Sequence, residues 1–197
     1  MEGSYFYFFA WIGWIVTTFL LKKDGLRLSV SIFLLLVVIG SQIQLSIFSV
    51  SLSGSALVIM GISCFGVAHY SVWMKLYTVV CTLIIAMIYT IFYVIELYDP
   101  VWIVIDRTWM LGGILVYASV LLYRNRTLRI FGLYIGMLQG ELFLTFMYKA
   151  MNVSYAIGSF SFLNTASVST MLFVLLYSVV HVFPYSRPFK KKQAKEG

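Results

Sequence analysis

Long apolar runs separated by short polar gaps dominate the chain, and the runs are continuous rather than alternating. Apolar runs of about 17–25 residues match the length of a helix that crosses a hydrocarbon core. Seven windows qualify: residues 5–21, 28–48, 55–73, 76–97, 101–123, 130–148 and 159–183. Backbone groups in hydrocarbon need partners inside a helix or a closed barrel, and a barrel would show period-two alternation. The pattern therefore predicts an all-α fold. It is a polytopic integral membrane bundle of seven transmembrane helices within residues 1–183, followed by a basic tail over 184–197. Pro100 falls in a turn, and Pro184 stops the last helix.

The basic residues set an orientation. Of 14 Lys and Arg, 12 fall in every second gap: Lys22, Lys23 and Arg27; Lys75; Arg124, Arg126 and Arg129; then Arg187, Lys190, Lys191, Lys192 and Lys195. Lys149 lies in an opposite loop and Arg107 inside a span. Because Lys and Arg are retained on the cytoplasmic face, the expected N-terminus is outside and the C-terminus cytoplasmic. The first run is followed, not preceded, by positive charge, so it reads as a retained span rather than a signal peptide. Trp11, Trp14, Trp102 and Trp109 lie toward the outer half as an interfacial belt.

Composition agrees. At 61% hydrophobic and 11% charged, with a mean hydropathy of +0.95, the chain has too little polar surface for a water-soluble globule. The net charge of +7 then reads as cytoplasmic retention plus attraction to anionic headgroups, with Lys190, Lys191, Lys192 and Lys195 as the headgroup contacts. No soluble domain presents a basic face, so no nucleic-acid partner is expected. The lipid bilayer is the expected partner. Cys64 and Cys81 lie inside spans as inert thiols, and no His, Cys or carboxylate cluster has metal-ligand spacing.

Two patterns inside the spans carry further information. Gly132, Gly136 and Gly140 recur every four residues, which places small surfaces on one stripe for close helix packing, with self-association as the alternative. The second is a set of intramembrane polar residues: Gln42, Gln44, Glu96, Asp106, Arg107, Gln139, Glu141 and Asn164. At about 1.5 Å per residue, Glu141 falls about 3 Å outward of the middle of its span and Arg107 about 7–8 Å outward, which makes them a candidate buried pair. Such groups either hold helices together or line a cavity open to the outside. An intramembrane enzyme would need a nucleophile with a base, paired carboxylates or a metal triad. The sequence offers none, so no catalytic residue and no cofactor are expected. The last span lacks the Lys that a retinal Schiff base would require.

The opening Met1-Glu2-Gly3, the aromatic run over residues 5–14 (YFYFFAWIGW) and Lys22-Lys23 resemble the YphA family of small membrane proteins from spore-forming Bacilli. The resemblance implies a multi-pass protein of the bacterial inner membrane with an envelope or sporulation role. It supplies no catalytic or binding residues. The expected function is a non-enzymatic envelope-assembly or scaffold component, whose partner is another membrane protein or a second copy. The alternative is a small transporter or ligand-binding sensor that uses the outer polar cluster.

Overall fold

The computed structural model describes residues 3–20, 25–47, 50–103, 105–153 and 155–182. Among these, seven α-helices follow one another: α1 Ser4–Ile15, α2 Gly25–Gly40, α3 Gly54–Ala68, α4 Val72–Tyr98, α5 Arg107–Leu122, α6 Arg126–Ala150 and α7 Phe160–Val182. A π-helical turn, Val16–Leu20, extends α1. Three helices (α4, α6 and α7) are long and apolar enough to cross a membrane, while α1, α2, α3 and α5 are shorter apolar helices of 10–17 residues. Large apolar side chains form the perimeter, among them Phe19, Phe65, Tyr117, Leu121 and Phe146.

Successive helices alternate in direction, as the bonds at the two ends show. At one end the Phe6 amide donates to Asn164 Oδ1 at 2.9 Å, and Arg107 reaches both Glu96 and Ser161. At the other end Ser31 donates to Thr17 at 3.2 Å, Asn125 to Tyr70 at 3.4 Å, and Tyr77 to the Leu122 carbonyl. There Arg126 also stands 5.3 Å over the Tyr177 ring.

The largest helix contact joins α4 to α6, and the glycine stripe explains it. A Cβ on Gly136 would stand 2.6 Å from Ile85 Cγ2 and 3.0 Å from the Thr82 carbonyl oxygen, and one on Gly140 2.6 Å from the Tyr89 ring. Gly132 seats Tyr123, at the end of α5, in the same way. Absent side chains let the two backbones approach, which maximises dispersion contact where no hydrophobic effect acts between helices in lipid.

The all-α character holds, with most described residues helical and seven α-helices in sequence, but the expected helix over 28–48 is corrected. After Gly40 the chain forms β1 Gln44–Ile47 and β2 Val50–Ser53, paired antiparallel with Gln44 opposite Ser53. A third strand, β3 Ala156–Ile157, joins β2 in parallel, with Leu52 opposite Ile157. The fold is thus a helical bundle closed at one end by a small sheet. The reason lies in the local pattern: Gln-Leu-Ser-Ile and Val-Ser-Leu-Ser alternate with period two, the repeat of a strand rather than of a helix, although Leu45 is exposed and Ser53 is the buried residue of its pair with Gln44. Ser53 ends the strand and caps α3, accepting from the Ala56 amide at 3.3 Å.

Two more boundaries move. The span expected over 55–73 ends at Ala68, and Trp73 belongs to α4. The span expected from 101 starts at Arg107 instead, because Pro100–Trp102 forms a short 3₁₀ turn and Asp106 caps α5 by accepting from the Thr108 amide at 2.9 Å. Arg107 is therefore the first residue of a helix rather than an interior one, which places its charge near the bundle's end. Lys190, Lys191, Lys192 and Lys195, with the rest of the 184–197 tail, lie outside the described residues, as do Lys22 and Lys23.

Candidate functional site

Glu141 sits on α6 nine residues before Ala150, about 14 Å from that helix end, and it is fully buried. A lone carboxylate at such a position is expensive unless donors surround it. Three do. Tyr89 of α4 donates to Oε1 at 2.6 Å, Tyr155 to the same oxygen at 2.8 Å, and the Gly158 amide to Oε2 at 3.0 Å.

The last two donors come from the connector between α6 and α7, which folds back along α6 to reach Glu141. Non-helical backbone at that depth is tolerated where protein buries it, and Ile157 and Gly158 are buried here. The sheet explains the placement: pairing with β2 holds β3, and the next residue points its N–H at Glu141. Gly158 takes φ +75°, and a Cβ there would stand 2.5 Å from Ser53 Oγ and 2.6 Å from the Ala56 side chain. Both conformation and space require glycine. Tyr155 is held by stacking on Tyr148, with centroids 5.1 Å apart and planes 13° apart.

From Glu141 the polar contacts continue toward the sheet end of the bundle. Tyr89 OH lies 3.4 Å from Tyr93 OH, one helical turn along α4. Tyr93 OH is 3.0 Å from Ser161 Oγ on α7, which accepts from Arg107 Nη2 at 2.9 Å. Arg107 also lies 5.7 Å over the Tyr93 ring and pairs with Glu96 at 3.3 Å. The Arg107 side chain is 42% exposed and that of Glu96 23%, whereas Tyr89 is fully buried. The network thus runs from a half-exposed ion pair to a fully enclosed carboxylate.

Three of the eight polar residues predicted from sequence, Glu96, Arg107 and Glu141, therefore share one network. Arg107 and Glu141 are linked through Ser161, Tyr93 and Tyr89 rather than by a direct pair. The other five lie elsewhere. Asn164 fixes the start of α1 against α7, Gln42 donates to Tyr7, Asp106 caps α5, and Gln44 is exposed at the head of β1. Gln139 Oε1 is buried with no hydrogen-bond partner among the described residues. The connecting residues Tyr89, Tyr93, Tyr155, Gly158 and Ser161 escaped sequence reasoning. The one usable signal is the four-residue spacing of Tyr89 and Tyr93, which puts both phenols on one helix face. Among the described residues, no group of three His, Cys, Asp or Glu is placed to hold a metal ion.

A helical bundle with an apolar perimeter around an enclosed carboxylate network defines an integral membrane protein, in contact with the lipid bilayer. The family model of YphA-like integral membrane proteins matches residues 2–197. A protein of Bacillus subtilis (strain 168), "Uncharacterized protein YphA", is 30% identical over 172 residues, covering 87% of this chain and 85% of that protein. No solved structure matches the chain. The chain belongs to the YphA-like integral membrane protein family.

Proposed function

We propose that the chain is a seven-span protein of the bacterial cell membrane, with its N-terminus outside and its basic tail cytoplasmic. In this reading it acts without catalysis, as an assembly or scaffold component of the envelope with a place in sporulation. The observation that carries the structural role is the saturation of Glu141: both carboxylate oxygens are occupied by donors from α4 and the α6–α7 connector. A transporter or ligand sensor needs such a group to face a solvated cavity. Here it clamps two helices and a connector together.

Complementation tests the role. In a host bacterium lacking the gene, envelope integrity and spore yield should track the amount of folded chain in the membrane, and Arg107→Gln should restore both. A folded, normally abundant Arg107→Gln chain that restores neither would replace the scaffold with the transporter or sensor reading.

The orientation follows from the alternating basic gaps and has its own test. In a chain with Cys64 and Cys81 first replaced by alanine, cysteines at the exposed positions Val101 and Asn152 should react in intact cells with an impermeant thiol reagent. Cysteines at Ser71 and Gln193 should react only after the membrane is opened. The opposite labelling would reverse the topology.

A further inference from the structure

At the end of the bundle opposite the sheet, a cleft of about 690 Å³ opens between the start of α4, the end of α5 and the start of α6. Its walls are apolar: Met74 and Tyr77 on one side, Val120, Leu121 and Leu122 on the other, with Leu128 at the back. Leu121 is 73% exposed and Tyr77 48%, so the walls face the lipid. Arg124 and Arg129 line the same cleft. Arg129 spends its Nε on the Tyr123 carbonyl at 2.6 Å, a bond that orients the guanidinium without neutralising it. Among the described residues neither arginine has a carboxylate partner. Tyr77, bonded to the Leu122 carbonyl, and Tyr123, bonded to the Thr78 carbonyl at 3.2 Å, hold the two walls together.

We propose that this cleft binds one anionic phospholipid, its phosphate on Arg124 and Arg129 and an acyl chain along Met74, Tyr77 and Leu121. Charge complementarity selects the occupant. Two uncompensated guanidinium groups suit a phosphate, and the apolar walls that continue from them suit a chain that a free anion lacks. The site is distinct from the tail lysines, which attract a charged surface without a shaped pocket.

The test uses the purified full chain in phosphatidylcholine nanodiscs to which phosphatidylglycerol is added, with bound lipid identified by mass. The parent should hold phosphatidylglycerol in preference to phosphatidylcholine. Arg124→Gln should weaken that binding about fivefold, and R124Q/R129Q roughly 30-fold. Met74→Trp, which fills the cleft and leaves both arginines, should also displace the lipid, while a K190Q/K191Q/K192Q/K195Q chain should keep it. Inorganic phosphate alone should not raise the melting temperature as phosphatidylglycerol does. The proposal is overturned if the cleft variants retain the lipid, if the tail variant loses it, if phosphatidylcholine is held equally, or if phosphate alone gives the same shift.

Discussion

Glu141→Leu is expected to lower the stability of the protein by about 4 kcal/mol, the largest effect of any single polar substitution. The estimate follows from what is left behind. The Tyr155 hydroxyl and the Gly158 amide lose the acceptor they have on Glu141, and Tyr89 keeps only its long 3.4 Å contact to Tyr93, at about 1–3 kcal/mol for each buried unsatisfied donor, and the added apolar contact offsets part of this. Arg107→Gln should cost less, about 1–2 kcal/mol: its pair with Glu96 is partly exposed and screened by solvent, while its bond to Ser161 and its contact with the Tyr93 ring are also lost. Unfolding titrations in mixed micelles measure both. Arg107 and Glu141 share no contact but belong to one hydrogen-bond network through Ser161, Tyr93 and Tyr89, so their double-mutant cycle should show coupling of about 0.5–1 kcal/mol. Simple additivity would reject the network described above, whereas coupling of about 3–5 kcal/mol would mean a direct ion pair in which removing one partner strands the other.

The helices were legible because their signal is redundant: long apolar runs and charged gaps mark the same segments. The sheet was not, because an average over 28–48 is as apolar as a helix needs, while the evidence for strands sits in the alternation of only eight residues, Gln44–Ile47 and Val50–Ser53. Depth along a span singles out Glu141 and Arg107 but says nothing about which helix faces lie between them, and the expected direct pair does not form. Tyr89 and Tyr93 fill that space. Tyrosine reads as ordinary apolar content or as an interfacial belt, so its use as a buried donor emerges only once α4 and α6 are seen in contact. Gly158 is invisible for another reason: its role rests on a main-chain N–H and a positive φ, neither of which a residue type specifies. The four-residue glycine repeat, by contrast, encodes helix packing directly, and all three glycines lie under other residues' atoms.

Gly136→Leu is the most severe packing change available in that stripe, and it is expected to lower the melting temperature in detergent well below that of an exposed control such as Phe146→Leu. The physical contrast with its neighbours decides the choice. At Gly132 and Gly140 an added Cβ meets tyrosine side chains, parts of which can swing aside. At Gly136 it meets Ile85 Cβ at 2.7 Å and the Thr82 carbonyl oxygen at 3.0 Å, atoms that move only if α4 moves. Overpacking costs about 1–3 kcal/mol where side chains can adjust and more where they cannot, so about 3 kcal/mol or more is expected here. A displaced α4 also carries Tyr89 away from Glu141, which adds the loss of a charge-assisted bond of about 1.5–3 kcal/mol. Gly136→Ala should show the same direction at smaller size. A Gly136→Leu protein that melts with the parent would mean that α4 and α6 are not in backbone contact at this point, and the arrangement of donors around Glu141 would have to be rebuilt.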